Sequence, residues 1–128
     1  MEHTIENRKF DLEERLIDFA AMIIDVTESL ANTRAGNQLV RSGTSPALQY
    51  GEAQSAESRN DFIHKLQILL KELRESLVNF KLISKVSLSS KLKLVGEGMN
   101  ECNQLISIFV KSVETARKNN VVRKPGTK

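Results

Sequence analysis

The sequence predicts an all-α protein, an up-down-up-down antiparallel four-helix bundle. Three observations predict it. Apolar residues recur in alternating steps of four and three over long stretches, turn-forming residues fall between those stretches, and no period-two pattern competes. The 128-residue length suits one domain, and 40% apolar with 27% charged residues is an ordinary globular composition. Aromatics are scarce and Trp is absent, so Leu, Ile and Val must carry the core.

The bundle is expected over residues 11–118, after a flexible N-terminus over 1–10 and before a basic mobile tail over 119–128. Helix 1 should run from about Asp11 to Leu30, because Leu12, Leu16, Phe19, Ile23, Val26 and Leu30 form a heptad seam. Asn32 to Asn37 supply turn chemistry. Helix 2, about Gln38 to Glu57, has a stripe of mostly small residues: Leu39, Gly43, Ala47, Tyr50 and Ala53. A face of that kind lets a neighbouring backbone come close.

Helix 3 opens on a capping-box variant, Ser58 followed by Asp61, whose carboxylate also suits the positive helix end. It continues through Phe62, Leu66, Leu69, Leu73, Leu77 and Phe80 to about Ser84. Helix 4 should begin near Ser87 or Ser89 and end near Lys118. Its seam runs from Leu88 and Leu92 through Val95, Met99, Cys102, Ile106 and Phe109 to Val113. Gly96 and Gly98 break helix propensity at about 1 kcal/mol each, and are read as close-packing positions.

The net charge of +3 conceals an asymmetry. Arg117, Lys118, Arg123, Lys124 and Lys128 crowd the C-terminal end with no acid among them; without them the 19 basic residues fall to 14 against 16 acidic ones. The basic character therefore belongs to the tail. Those five residues are candidate contacts to nucleic-acid phosphates, or a solubilising terminus.

Catalytic and metal chemistry find little to build on. His3 and His64 with Cys102 do not make a zinc-ligand spacing. Cys102 lies in the helix 4 seam, where a small apolar role is the expected one. Catalytic residues, metal and cofactor are each expected to be none. A lone cysteine, the lack of an apolar leader and the absence of any apolar run near the ~20 residues that span a bilayer give a cytoplasmic expectation, with no membrane partner.

Two surface features stand out. Arg41, Glu52, Asp61, Lys65, Lys71 and Glu72 are either a solvated face or a polar network linking helices 2 and 3. Ile17 and Ile24 on helix 1, and Leu94 and Ile108 on helix 4, lie off the seams. They are either scattered apolar residues or a candidate subunit interface.

The run from Arg41 to Ser76, RSGTSPALQYGEAQSAESRNDFIHKLQILLKELRES, resembles the signature of the bacterial four-helix bundle proteins, which include those encoded in intervening sequences of 23S (large-subunit) ribosomal RNA genes. The matching positions are Arg41-Ser42-Gly43-Thr44-Ser45, Glu52-Ala53, Ser58, Asp61-Phe62, Lys65 and Lys71-Glu72. The stretch NECNQLISIFVKSVETARK is similar to the family's last helix. The chain departs from the pattern at Pro46, where the family has Ile or Val, and at Gln49, where it has Asn. The resemblance implies a helical bundle that assembles into a ring, often a pentamer. A distant relative, the accessory protein of diversity-generating retroelements, partners a reverse transcriptase and binds nucleic acid.

The resulting expectation is a non-enzymatic, homo-oligomeric binding or scaffold protein with RNA or DNA as its candidate partner. The alternative is a protein–protein adaptor that binds no nucleic acid. Pro46 lacks an amide proton and meets the carbonyl of Ser42, so it should kink helix 2 or open one turn, with Ser42, Thr44 and Ser45 satisfying the freed groups. Replacing Pro46 by Ile is expected to leave the circular dichroism spectrum unchanged; unfolding would mean that the kink is required.

Overall fold

The structure is a computed structural model describing residues 5–86 and 90–126, with side chains over 12–86 and 90–119. It holds four helices: α1 (Ile5–Glu28), α2 (Arg34–Gln54), α3 (Arg59–Val86) and α4 (Leu92–Gly126). The described residues contain no strand. Each helix packs against its neighbours in chain order and α1 returns to α4, whereas the backbones of α1 and α3, like those of α2 and α4, stay apart across the core and meet through side chains, Phe19 edge-on to Phe80 and Tyr50 edge-on to Phe109. The bundle is thus square in section, with α1 and α3 on one diagonal.

Local chemistry sets the turns. Asn32 takes a left-handed conformation, with φ of 67°. Thr33 then caps α2: its hydroxyl donates to the Leu30 carbonyl (2.7 Å) and accepts from the Gly36 amide (3.0 Å). Between α2 and α3, Ser58 Oγ accepts from the Asp61 amide (3.0 Å), and the Asp61 carboxylate accepts from the Glu57 amide (3.3 Å).

The ends of the outer helices differ from the sequence expectation. α1 begins at Ile5 rather than Asp11, so 5–10 are not a loose terminus. Ile5 is seven residues before Leu12 and continues the seam by spacing; Lys9 interrupts it and hid the continuation. α4 begins at Leu92 and persists past Lys118 to Gly126, so the chain does not leave helical geometry where its apolar period ends. Residues 1–4, 127 and 128, with Leu88 in the α3–α4 connection, lie outside the described residues.

The core follows the predicted seams closely on α1, where Leu16, Phe19, Ile23, Val26 and Leu30 are all buried. On α4 it is broader than the seam. Leu105 and Ala116 are buried, Met99 and Ile106 only partly so, and Leu92 is exposed at the helix start. A bundle helix buries an arc wider than a two-position stripe. Fully burying one such Leu, Ile or Phe is worth about 1.5–3 kcal/mol, so these residues dominate stability.

Small residues control how near the helices come. A Cβ placed on Gly43 would lie 2.5, 2.7 and 2.9 Å from the three outer carbons of Ile23, and one on Gly98 would lie 2.5 Å from the Phe80 ring. Gly43 and Gly98 are therefore the close-packing positions between α1 and α2 and between α3 and α4. Gly96 and Gly51 face open space, so the close-packing expectation fails at Gly96. Pro46 is buried inside an unbroken α2, which opens no turn around it. The nearby hydroxyls do not serve the Ser42 carbonyl: Ser42 Oγ donates to Leu39 O (3.5 Å) and Thr44 Oγ1 to Val40 O (2.7 Å).

A paired substitution reads this packing. Gly43→Ala should destabilise the protein by about 1–3 kcal/mol through overpacking against Ile23. Gly51→Ala, at an exposed helical site, should stabilise it by roughly 1 kcal/mol. Urea unfolding of the two variants measures both; equal effects would contradict the assigned close approach.

Candidate functional site

Two positions carry the polar chemistry of the bundle: the seam between α2 and α3, and the groove on the far side of α3. In the seam, Arg41 Nη1 donates to Glu72 Oε1 (3.1 Å) and Nη2 to Glu75 Oε1 (2.7 Å). One helical step inward, Ser76 Oγ lies 2.9 Å from Ser42 Oγ and 3.0 Å from the Glu72 carbonyl, within hydrogen-bond reach of both. Lys65 Nζ donates to Glu52 Oε1 (2.8 Å) further along. The partners rise on α3 as they fall on α2, which is the antiparallel register.

Four of the six residues expected to form this network do so: Arg41, Glu52, Lys65 and Glu72. Asp61 does not; it is committed to the α3 cap. Lys71 forms no ion pair with a described residue and lies on the groove side of α3. The buried Ser42–Ser76 pair was not anticipated. Its signal was present, since Ser76 stands three residues after Leu73 and four before Phe80, on the buried stripe. Gln49, also on α2, leaves its Oε1 buried with no hydrogen bond from a described residue, a penalty of about 1–3 kcal/mol.

The electrostatics of the three charged groups follow from geometry. Hydrogen bonding to Arg41 holds the Glu75 carboxyl below its ordinary value. Burial, together with repulsion from Glu75, raises that of Glu72 despite Arg41. The guanidinium is itself raised by its bond to Glu75.

The opposite seam, between α1 and α4, is thinner. Arg15 grips Glu101 with Nε at 2.9 Å and Nη2 at 2.8 Å, and Lys91 donates to both the carbonyl (3.0 Å) and the carboxylate of Asp25. Neither clamp was anticipated, because each joins residues far apart in the chain.

On the outer side of α3 runs an open groove of about 890 Å³. Leu70, Val78, Val110 and Val113 line it with Lys71, Arg74 and Arg117, and Glu75 and Glu114 lie among them. Of the expected nucleic-acid contacts, Arg117 and Lys118 are exposed on α4. The side chains of Arg123 and Lys124, and all of Lys128, lie outside the described residues. Of the expected interface residues, Ile17 and Ile24 are exposed. Leu94 instead packs partly buried against the core, which corrects its outward placement, and Ile108 is half-buried.

Among the described residues no cluster of His, Cys, Asp or Glu could hold a metal ion, and no helix is long and apolar enough to cross a membrane. Cys102 is fully buried, its thiol donates to the Leu73 carbonyl (3.1 Å), and burial pushes it up to about 12.

No family profile matches the chain, and no curated protein does. Solved structures similar to the chain include a protein of unknown function from the S23 ribosomal protein family of Bacteroides thetaiotaomicron VPI-5482, 26% identical, with a TM-score of 0.74, covering 80% of this chain and 97% of its own. The likeness supports a small helical protein of the same architecture.

The Arg41 cluster predicts a titration result. Glu75 should titrate below, and Glu72 above, an ordinary glutamate. In Arg41→Gln both should move upward, as read by NMR of the side-chain carboxyls. Because the folded value of Glu75 is depressed, its contribution is present above the unfolded value near 4.5 and fades as pH falls below it. The stability difference between wild type and variant, about 0.5 kcal/mol for so exposed a pair, should therefore be present at neutral pH and vanish in acid.

Proposed function

We propose that this protein is a non-catalytic, self-associating helical-bundle scaffold of the ribosomal-RNA intervening-sequence type, and that it binds RNA or DNA through the basic end of α4. The observation that carries the reading is the separation of charge. In the body, cations such as Arg15, Arg41, Lys65 and Lys91 are tied to carboxylates across the helix seams, and acids balance the remaining bases, whereas Arg117 and Lys118 stand exposed where α4 continues toward three further cations with no acid among them. Its one thiol, buried and held in the protonated form, is unsuited to nucleophilic chemistry. The similarity to a protein of the S23 family supports the family reading. In an oligomer the basic ends would be multiplied, and several weak phosphate contacts would act together. Ring assembly, with a pentamer as the family precedent, follows from the resemblance carried by Arg41 to Ser76.

The α3 groove favours a second reading, a protein–protein adaptor, because an apolar floor with charged sides suits a helix or peptide.

The two readings separate on salt dependence. Binding of single-stranded RNA and duplex DNA should weaken with added salt at a slope of roughly 0.7–0.9 per phosphate contact. Changing Arg117, Lys118, Arg123, Lys124 and Lys128 together to Gln should lower the affinity roughly tenfold or more and flatten that slope. Binding that is undetectable at low salt, or untouched by the variant, overturns the nucleic-acid reading in favour of the adaptor.

A further inference from the structure

We infer that copies of this chain associate head to tail, the acidic outer face of α1 in one copy seating on the basic outer face of α3 in the next. This rests on the self-association reading above and assigns its surfaces.

Each face is an exposed apolar stripe. On α1, Ile17 and Ile24 are 46% and 50% exposed; on α3, Val78, Leu82 and Val86 are 63%, 51% and 53% exposed. Single exposed apolar residues are normal, but these recur at spacings that place them on one side of their helices. The two stripes have similar lengths, about 10 Å from Ile17 to Ile24 and about 12 Å from Val78 to Val86.

Their charges are complementary. Glu13 and Glu14 precede Ile17 by one turn, and Glu28, which shares Lys91 with Asp25, follows Ile24 by one turn. The only base on the described side chains of α1, Arg15, is already held by Glu101. On α3, Arg74 precedes Val78 by one turn, and Lys81 and Lys85 flank Leu82 and Val86; none of the three pairs with a described residue. The acids of that half of α3, Glu72 and Glu75, are already held by Arg41. The internal ion pairs thus remove the minority charge from each face. What remains is an acid-rimmed apolar stripe on one helix and a base-rimmed stripe on another.

Placement decides the mode of association. α1 and α3 are diagonal partners that meet across the core, Phe19 against Phe80, so their outer faces point away from each other. One copy cannot satisfy itself, and like faces repel. The contact is therefore heterologous, and growth stops only when a ring closes.

Light scattering on Ile24→Lys and Leu82→Glu tests this. Both positions are exposed, and circular dichroism confirms that each variant folds. Wild type should exceed the monomer mass, each variant alone should be a monomer, and an equimolar mixture should regain a complex of at least one copy of each. Such recovery requires one undamaged face of each kind. Either variant alone keeping the wild-type mass, or a mixture that stays monomeric, overturns the face assignment and leaves self-association standing. A monomeric wild type overturns self-association itself.

Discussion

The close approach of α2 to both of its neighbours is the constraint on which the rest of the bundle depends. Two consecutive residues produce it. Gly43 admits Ile23 of α1 into the space that a Cβ would fill, and Ser42 meets Ser76 of α3 hydroxyl to hydroxyl at 2.9 Å. A larger residue at Gly43 would push α1 away, and an apolar one at Ser42 would leave Ser76 with only the Glu72 carbonyl. With α2 held at this depth, Arg41 sits at the edge of the seam within reach of Glu72 and Glu75. Pro46 is carried on the same buried face without breaking the helix, because packing from two sides offsets the lost backbone hydrogen bond.

Magnitudes separate what stabilises this fold from what specifies it. A buried Leu or Phe contributes roughly 1.5–3 kcal/mol, and the core holds many. An exposed ion pair contributes about 0.2–1 kcal/mol. The clamps at Arg41, Lys65, Arg15 and Lys91 therefore add little to overall stability. They select register, since a one-turn slip between α2 and α3 would strand Arg41 and Ser42 at once. They also sort charge, because a side chain consumed in a seam no longer contributes to an outer face. The proposed self-association and anion binding both depend on that sorting.

Much of the fold was legible along the chain. The seam of α1 can be read residue by residue, because a helix between two neighbours repeats its burial every turn. The α3 cap is legible for the same local reason: Ser58 and Asp61 act within one turn. The glycines were not separable in this way. Gly96 and Gly98 break propensity equally, yet only Gly98 faces an aromatic ring. Asp61 and Lys71 looked like members of the α2–α3 network by their spacing, but one is spent on the cap and the other points to the groove side. Leu105 is buried off the expected seam, and Leu94 packs partly against the core, because the buried arc of α4 is set by how α1 and α3 lie beside it.

By itself, the sequence determined the helical class, the order of four helices, the seam of α1, the small-residue face of α2 and the basic C-terminal end. Each is a local or periodic property, readable wherever side chains repeat with the helix. Only the tertiary structure decided which charges cancel, which glycine is a contact, and that Ile17 and Ile24 lie diagonally across the bundle from Val78, Leu82 and Val86. Those outcomes depend on pairs of residues far apart in the chain, and their partners are chosen by helix packing rather than by spacing.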